Sequence, residues 1–120
     1  MEKKVEDSEN LFRAIRPDDM FWKNEEKTKL SSAAFKDRNG LSVDRQGTRT
    51  EEESIQKIKN SFTGKIAYTA AGVCYSNGIM VDYCPTEENL YHCEIIRNHE
   101  KKLLSKSQAK FLADCFKICG

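Results

Sequence analysis

The chain has 120 residues, the length of one domain with a core of its own. With 38% apolar and 32% charged residues, the core is expected to be thin and the surface well solvated; 20 Lys+Arg against 19 Asp+Glu leave no basic excess for a phosphate backbone, which argues against extended nucleic-acid binding. No apolar run is long enough to span a bilayer, and no apolar segment follows the N-terminal lysines, so no membrane contact and a cytoplasmic residence are expected.

Residues 1–10 are charged and aperiodic and read as a disordered tail ahead of a single domain over 11–120. Leu11 to Arg16 is extended in character, and Pro17 ends it. Met20, Phe21 and Trp22 form an apolar knot, followed by a polar loop to Lys29. Leu30 to Lys36 fits a helical turn or a strand. Asp37-Arg38-Asn39-Gly40 is a strong turn signal, because Asn-Gly readily supplies positive φ. Leu41 to Asp44 alternates apolar and polar, as a half-buried strand does.

Thr50-Glu51-Glu52-Glu53 is a capping box, with three acids suited to the helix dipole. The Ile55, Ile58 and Phe62 stripe predicts a helix over 51–62, ended by Gly64. Strands are expected over Ile66–Val73, Ile79–Cys84 and Leu90–Ile96, with Asn77-Gly78 and Pro85 between them, as an antiparallel meander. Ser105 N-caps a last helix over 106–118. The order β–β–α–β–β–β–α predicts an α+β domain: a mostly antiparallel sheet with two helices packed on one face. The five cysteines, an odd number without a secretory signal, are expected as reduced thiols packed as small apolar residues.

Four strings stand out: Leu11-Phe12-Arg13-x-Ile15-x-Pro17, Ser31-Ser32-Ala33-Ala34-Phe35-Lys36-Asp37, Leu41-Ser42-Val43-Asp44, and Pro85 with His92 seven residues on. Together they resemble a family of small uncharacterised bacterial proteins, over residues 11 to 118. The resemblance implies a bacterial origin and a single compact domain, and it carries over no catalytic residue.

Strand parity locates the candidate chemistry. In the strand ending at Ile96, His92 and Glu94 share one face and Cys93 the other. A carboxylate beside an imidazole fixes its tautomer, so His92 and Glu94 are the candidate catalytic pair. Ser42 and Asp44 share a face of their strand, but no nucleophile elbow accompanies them, so a triad is not expected. Arg13 lies among apolar neighbours and, with Lys36 and Arg16, forms a candidate anion site; Ser31, Ser32, Ser42 and Asp44 are further candidate ligand-binding side chains. Phe21 and Trp22 are candidate interaction anchors. No metal site and no cofactor are expected: Cys84, His92 and Cys93 are close in sequence, but the last two point apart, and Cys115 and Cys119 are an isolated pair.

Two functions follow. The first is a small bacterial accessory protein acting with a larger protein partner, in a setting such as a defence or toxin–immunity system. The second is a small enzyme or sensor for a nucleotide or other anionic ligand, with His92 transferring a proton.

Overall fold

Six antiparallel strands form one sheet in the computed structural model, which describes residues 1–119. In chain order the elements are β1 (Asn10–Ile15), β2 (Leu41–Arg45), α1 (Glu51–Lys59), β3 (Lys65–Ala70), α2 (Ala71–Tyr75), β4 (Met80–Tyr83), β5 (His92–Ile96), α3 (Lys106–Cys115) and β6 (Lys117–Ile118). The sheet order is β4-β5-β2-β1-β3-β6. Short 3-10 turns lie at Asp19–Phe21 and Ser32–Phe35. This is the expected α+β class with an antiparallel sheet, but the expected meander is not formed: β4 and β5 pair, while β5, β2 and β1 separate β4 from β3. Among the described residues no helix is long and apolar enough to cross a membrane.

Register assigns every strand residue to a face. Leu11, Arg13 and Ile15 of β1 align with Arg45 of β2 and with Thr69, Ala67 and Lys65 of β3. Leu41 and Val43 of β2 align with Ile95 and Cys93 of β5. This face carries the core, where Leu11, Ile15, Leu41, Val43, Cys93 and Ile95 pack with Phe35, Ala109, Leu112 and Phe116. The α2 residues Ala71 and Cys74 join the same cluster. Two helices, α2 and α3, therefore share one face. The first long helix, expected beside α3, instead crosses the other face, where Lys57 and Ile58 stand over Phe12, Ala14 and Asp44. Its reason is economy of apolar surface. Ser54 is its single fully buried residue, and its apolar stripe of Ile55 and Ile58 is only half-buried, a thinner cover than the buried Ala109 and Leu112 give α3.

The capping reading holds at both long helices. Thr50 Oγ1 accepts from Glu53 N while Glu53 reaches back to Thr50 N. Ser105 and Gln108 make the same reciprocal pair. Gly40 has φ +90°, and a Cβ there would stand 2.8 Å from Ile96 Cγ2, so the Asn-Gly turn needs its glycine.

Three boundaries differ from expectation. The strand from Ile66 stops at Ala70, and the chain turns into α2 because outside acceptors cap that helix: Ala71 N donates to Glu9 O and Gly72 N to Asp7 O. The helix α1 ends at Lys59, and residues 60–62 form a turn with Ser61 N bonded to Ile58 O. The last helix ends at Cys115. Phe116 turns extended into the core, with its ring 4.9 Å from that of Phe35, and Lys117–Ile118 pair with the open edge of β3.

The N-terminal segment is a correction. Residues 1–10 were expected as a disordered tail, but Val5 is buried and its carbonyl accepts from Tyr75 Oη. Glu9 grips Arg45 with two bonds of 2.7 Å and also accepts from Gly47 N. Burial favours the neutral form of Glu9, but those donors outweigh it and hold the carboxyl below its ordinary value. Arg45 is the largest fully buried side chain, stacked 4.6 Å from the Tyr83 ring. The segment's charges concealed a structural role, because its partner lies 36 residues away.

Candidate functional site

The face opposite the core carries a small polar lattice. On β5, His92 and Glu94 stand two apart and point the same way. On one side β2 sets Asp44 opposite His92 and Ser42 opposite Glu94. On the other, β4 sets Asp82 opposite Glu94, and the bond from Cys84 N to His92 O carries that register one step further. Cys84, His92 and Asp44 thus form one row across three strands, and Asp82, Glu94 and Ser42 the next.

The rows are held by their neighbours. Asp44 is buried and accepts from Lys57 Nζ at 2.9 Å and from Asn89 Nδ2 at 2.8 Å, and Lys57 also donates to Asn89 Oδ1. This triangle ties α1 and the loop between β4 and β5 to the sheet. Lys102 Nζ reaches Glu94 Oε1 at 3.3 Å, and His99 Nε2 lies 2.9 Å from Asp82 Oδ2. His92 Nε2 and Glu94 Oε2 are 3.9 Å apart, neighbours without a direct hydrogen bond. Burial, followed by the Glu94 and Asp82 carboxylates, pushes the Cys84 thiol above its ordinary value.

Beside the lattice, α1 stands off the sheet over a cleft of about 510 Å³. Phe12, Ala14, Ile58 and Phe62 give it apolar walls. Asp44, Lys57, Asn89 and His92 give it a polar end. Polar and apolar groups share that lining about equally, and the polar ones converge at one end, where they could fix the orientation of a small molecule.

The candidate residues fall into separate places. Ser42, Asp44, His92 and Glu94 share the open face. Arg13 and Lys36 do not join them. Arg13 lies on the core side and clamps the backbone: Nε and Nη2 donate to Ala34 O, and Nη1 donates to Ser42 O at 2.8 Å. Burial lowers its guanidinium to about 10, which leaves it charged at neutral pH. Its role is to fasten the 3-10 turn Ser32–Phe35 to the sheet beyond the last β1–β2 pair. Lys36 is exposed at a separate hollow of about 130 Å³ with Arg13 and Arg16. Ser31 caps the 3-10 turn by accepting from Ala33 N, and Ser32 is the turn's first residue.

The apolar knot divides as well. Trp22 is buried in the core cluster with its indole N–H on Arg16 O, Phe21 is half-buried, and Met20 is exposed. Sequence reasoning passed over Asp82, and it weighed Cys84 with His92 and Cys93 but not with Glu94. Parity already set both on one face of their strand. What it lacked was the pairing register, which places Cys84 beside His92 rather than merely near it in the chain.

Comparisons with protein families, with curated proteins and with solved structures each give no match to this chain.

Proposed function

We propose that this chain is a small-ligand-binding domain, an enzyme or a sensor, whose ligand occupies the cleft between α1 and the open face of the sheet. The cleft itself carries the reading. A helix that closed fully on the sheet would leave no such volume, and here the Asp44–Lys57–Asn89 triangle holds one end of it. The lining has one cation, Lys57, already matched by Asp44, and a further carboxylate at Glu88. These charges favour an uncharged or cationic ligand over an anionic one. An aromatic or aliphatic part would lie on the half-buried Ile58 and Phe62, and a hydrogen-bonding edge would face Asn89 and His92.

The accessory-protein reading keeps less support. Its anchors were Phe21 and Trp22; the buried Trp22 indole offers no docking surface, and Phe21 is half-buried. Its case, and that for a defence or toxin–immunity setting, rests on shortness and charge balance alone.

The test is saturation-transfer NMR with three matched probes: benzamidine, benzyl alcohol and phenyl phosphate. Transfer is expected to the first two, and to be lost in Ser61→Trp, which fills the cleft from an exposed position. No transfer to any probe, or transfer unchanged in Ser61→Trp, would refute the cleft as the site. Preference for phenyl phosphate would refute the charge argument.

A further inference from the structure

We propose that Cys84, His92 and Glu94 form a binding site for one divalent transition-metal ion, with zinc favoured by the donor set. The site stands independently of what occupies the cleft. It is assembled from an imidazole and a carboxylate on β5 and a thiol one residue past the end of the adjacent β4, and the three ligating atoms all lie within 4.8 Å of one another. Bonds of about 2.0–2.3 Å in tetrahedral geometry put ligand atoms roughly 3.3–3.8 Å apart. The His92–Glu94 separation of 3.9 Å is already close to that span. Side-chain rotation of about 1 Å closes the rest, with no movement of the strands.

The scaffold favours chelation. His92 and Glu94 are two apart on β5, and Cys84 is joined to His92 by a backbone bond across the ladder. β5 therefore sets two of the three Cα positions, and the bond to His92 O holds the third one residue past the end of β4. The His92 and Glu94 side chains are only 21% and 25% exposed, so they lie over the sheet instead of extending into solvent. Lys102 contacts Glu94 through Oε1, while Oε2 is the oxygen nearer His92. An outer partner on one carboxylate oxygen with the other turned toward the site is the usual support of a metal ligand.

Mixed sulfur, nitrogen and oxygen donors suit zinc better than calcium or magnesium, which select oxygen. Three protein ligands leave a fourth position for water or a substrate atom, the pattern of catalytic rather than structural zinc. His92 also lines the cleft, so that open position would lie at its rim. On binding, the Cys84 S–H proton leaves to solvent and a sulfur–metal bond replaces it, with no electron transferred.

Cobalt(II) titrated into the reduced, metal-free full-length protein provides the test. One equivalent is expected to give the near-ultraviolet thiolate-to-metal absorption of a Cys-bound ion, and zinc to displace it. Cys84→Ser should abolish the band. His92→Ala and Glu94→Gln should weaken cobalt binding at least about tenfold. The double variant Cys115→Ser/Cys119→Ser should retain it. As a second readout, zinc should raise Tm of the wild type and leave that of Cys84→Ser unmoved. Absence of the band in the wild type, its survival in Cys84→Ser, or its loss in the Cys115/Cys119 variant would overturn the assignment. Unchanged affinity in Glu94→Gln would overturn Glu94 as a ligand.

Discussion

Replacing Glu9 by alanine strips two acceptors from a guanidinium that is 2% exposed. Arg45 cannot shed its charge at neutral pH, so the variant leaves a buried cation with the Glu2 carbonyl and the Tyr83 ring as its remaining partners. Breaking a buried pair in this way costs about 3–5 kcal/mol. For a chain of this size about 1 kcal/mol moves Tm by roughly 4 °C, so the expected fall is roughly 12–20 °C. Total stability of about 6–18 kcal/mol leaves most of that range still folded at room temperature. Thermal unfolding followed by circular dichroism at neutral pH measures it. A double variant, Glu9→Leu/Arg45→Met, should recover most of the loss, because an apolar pair needs no partner charges. A disordered N-terminus would make Glu9→Ala silent. A Tm within roughly 3 °C of wild type would therefore refute the clamp.

The same pair sets an acid limit. Folded Glu9 lies below its ordinary 4.5, so it binds fewer protons than in the unfolded chain. Its contribution is complete above that value, begins to go as pH falls through 4.5, and is lost once pH passes below the folded value; a Glu9→Gln variant should show a shallower fall of Tm over that range. Trp22→Ala should destabilise by about 3–5 kcal/mol, as a core aromatic does, with the loss seen in urea unfolding; an unchanged midpoint would return Trp22 to the surface. In metal-free protein, brief alkylation read by mass spectrometry should label half-buried Cys84, Cys115 and Cys119 before Cys74 and Cys93, whose thiols burial pushes up to about 12. Equal labelling of all five would contradict the core assignment.

Much of this fold is local in origin and could be read locally. The Thr50 capping box, the Ser105 N-cap, the Asn-Gly turn and the alternating strand at Leu41 are each set by residues within four positions of one another, and the structure places all of them as expected. Strand parity likewise placed His92 with Glu94 and Ser42 with Asp44. What failed was whatever depended on a distant partner. The charged N-terminus looked free because Arg45, Tyr75 and the start of α2 are remote in sequence. Arg13 lines one hollow with Arg16 and Lys36, but its bonds to Ala34 O and Ser42 O were not legible, because no side-chain pattern reveals backbone acceptors. The last residues looked helical because their pairing partner is an open edge of β3.

The candidate site shows the same division. The residue types and their faces were fixed by the sequence, since a strand alternates sides whatever it pairs with. Their meeting was decided by register, which brings β2 and β4 to either side of β5 and sets Cys84 and Asp44 flanking His92. A shift of one residue in either pairing would have sent those side chains to the core face. The cleft is tertiary too, because it lies between α1 and the sheet, with the half-exposed Lys57 paired to the buried Asp44 at one end.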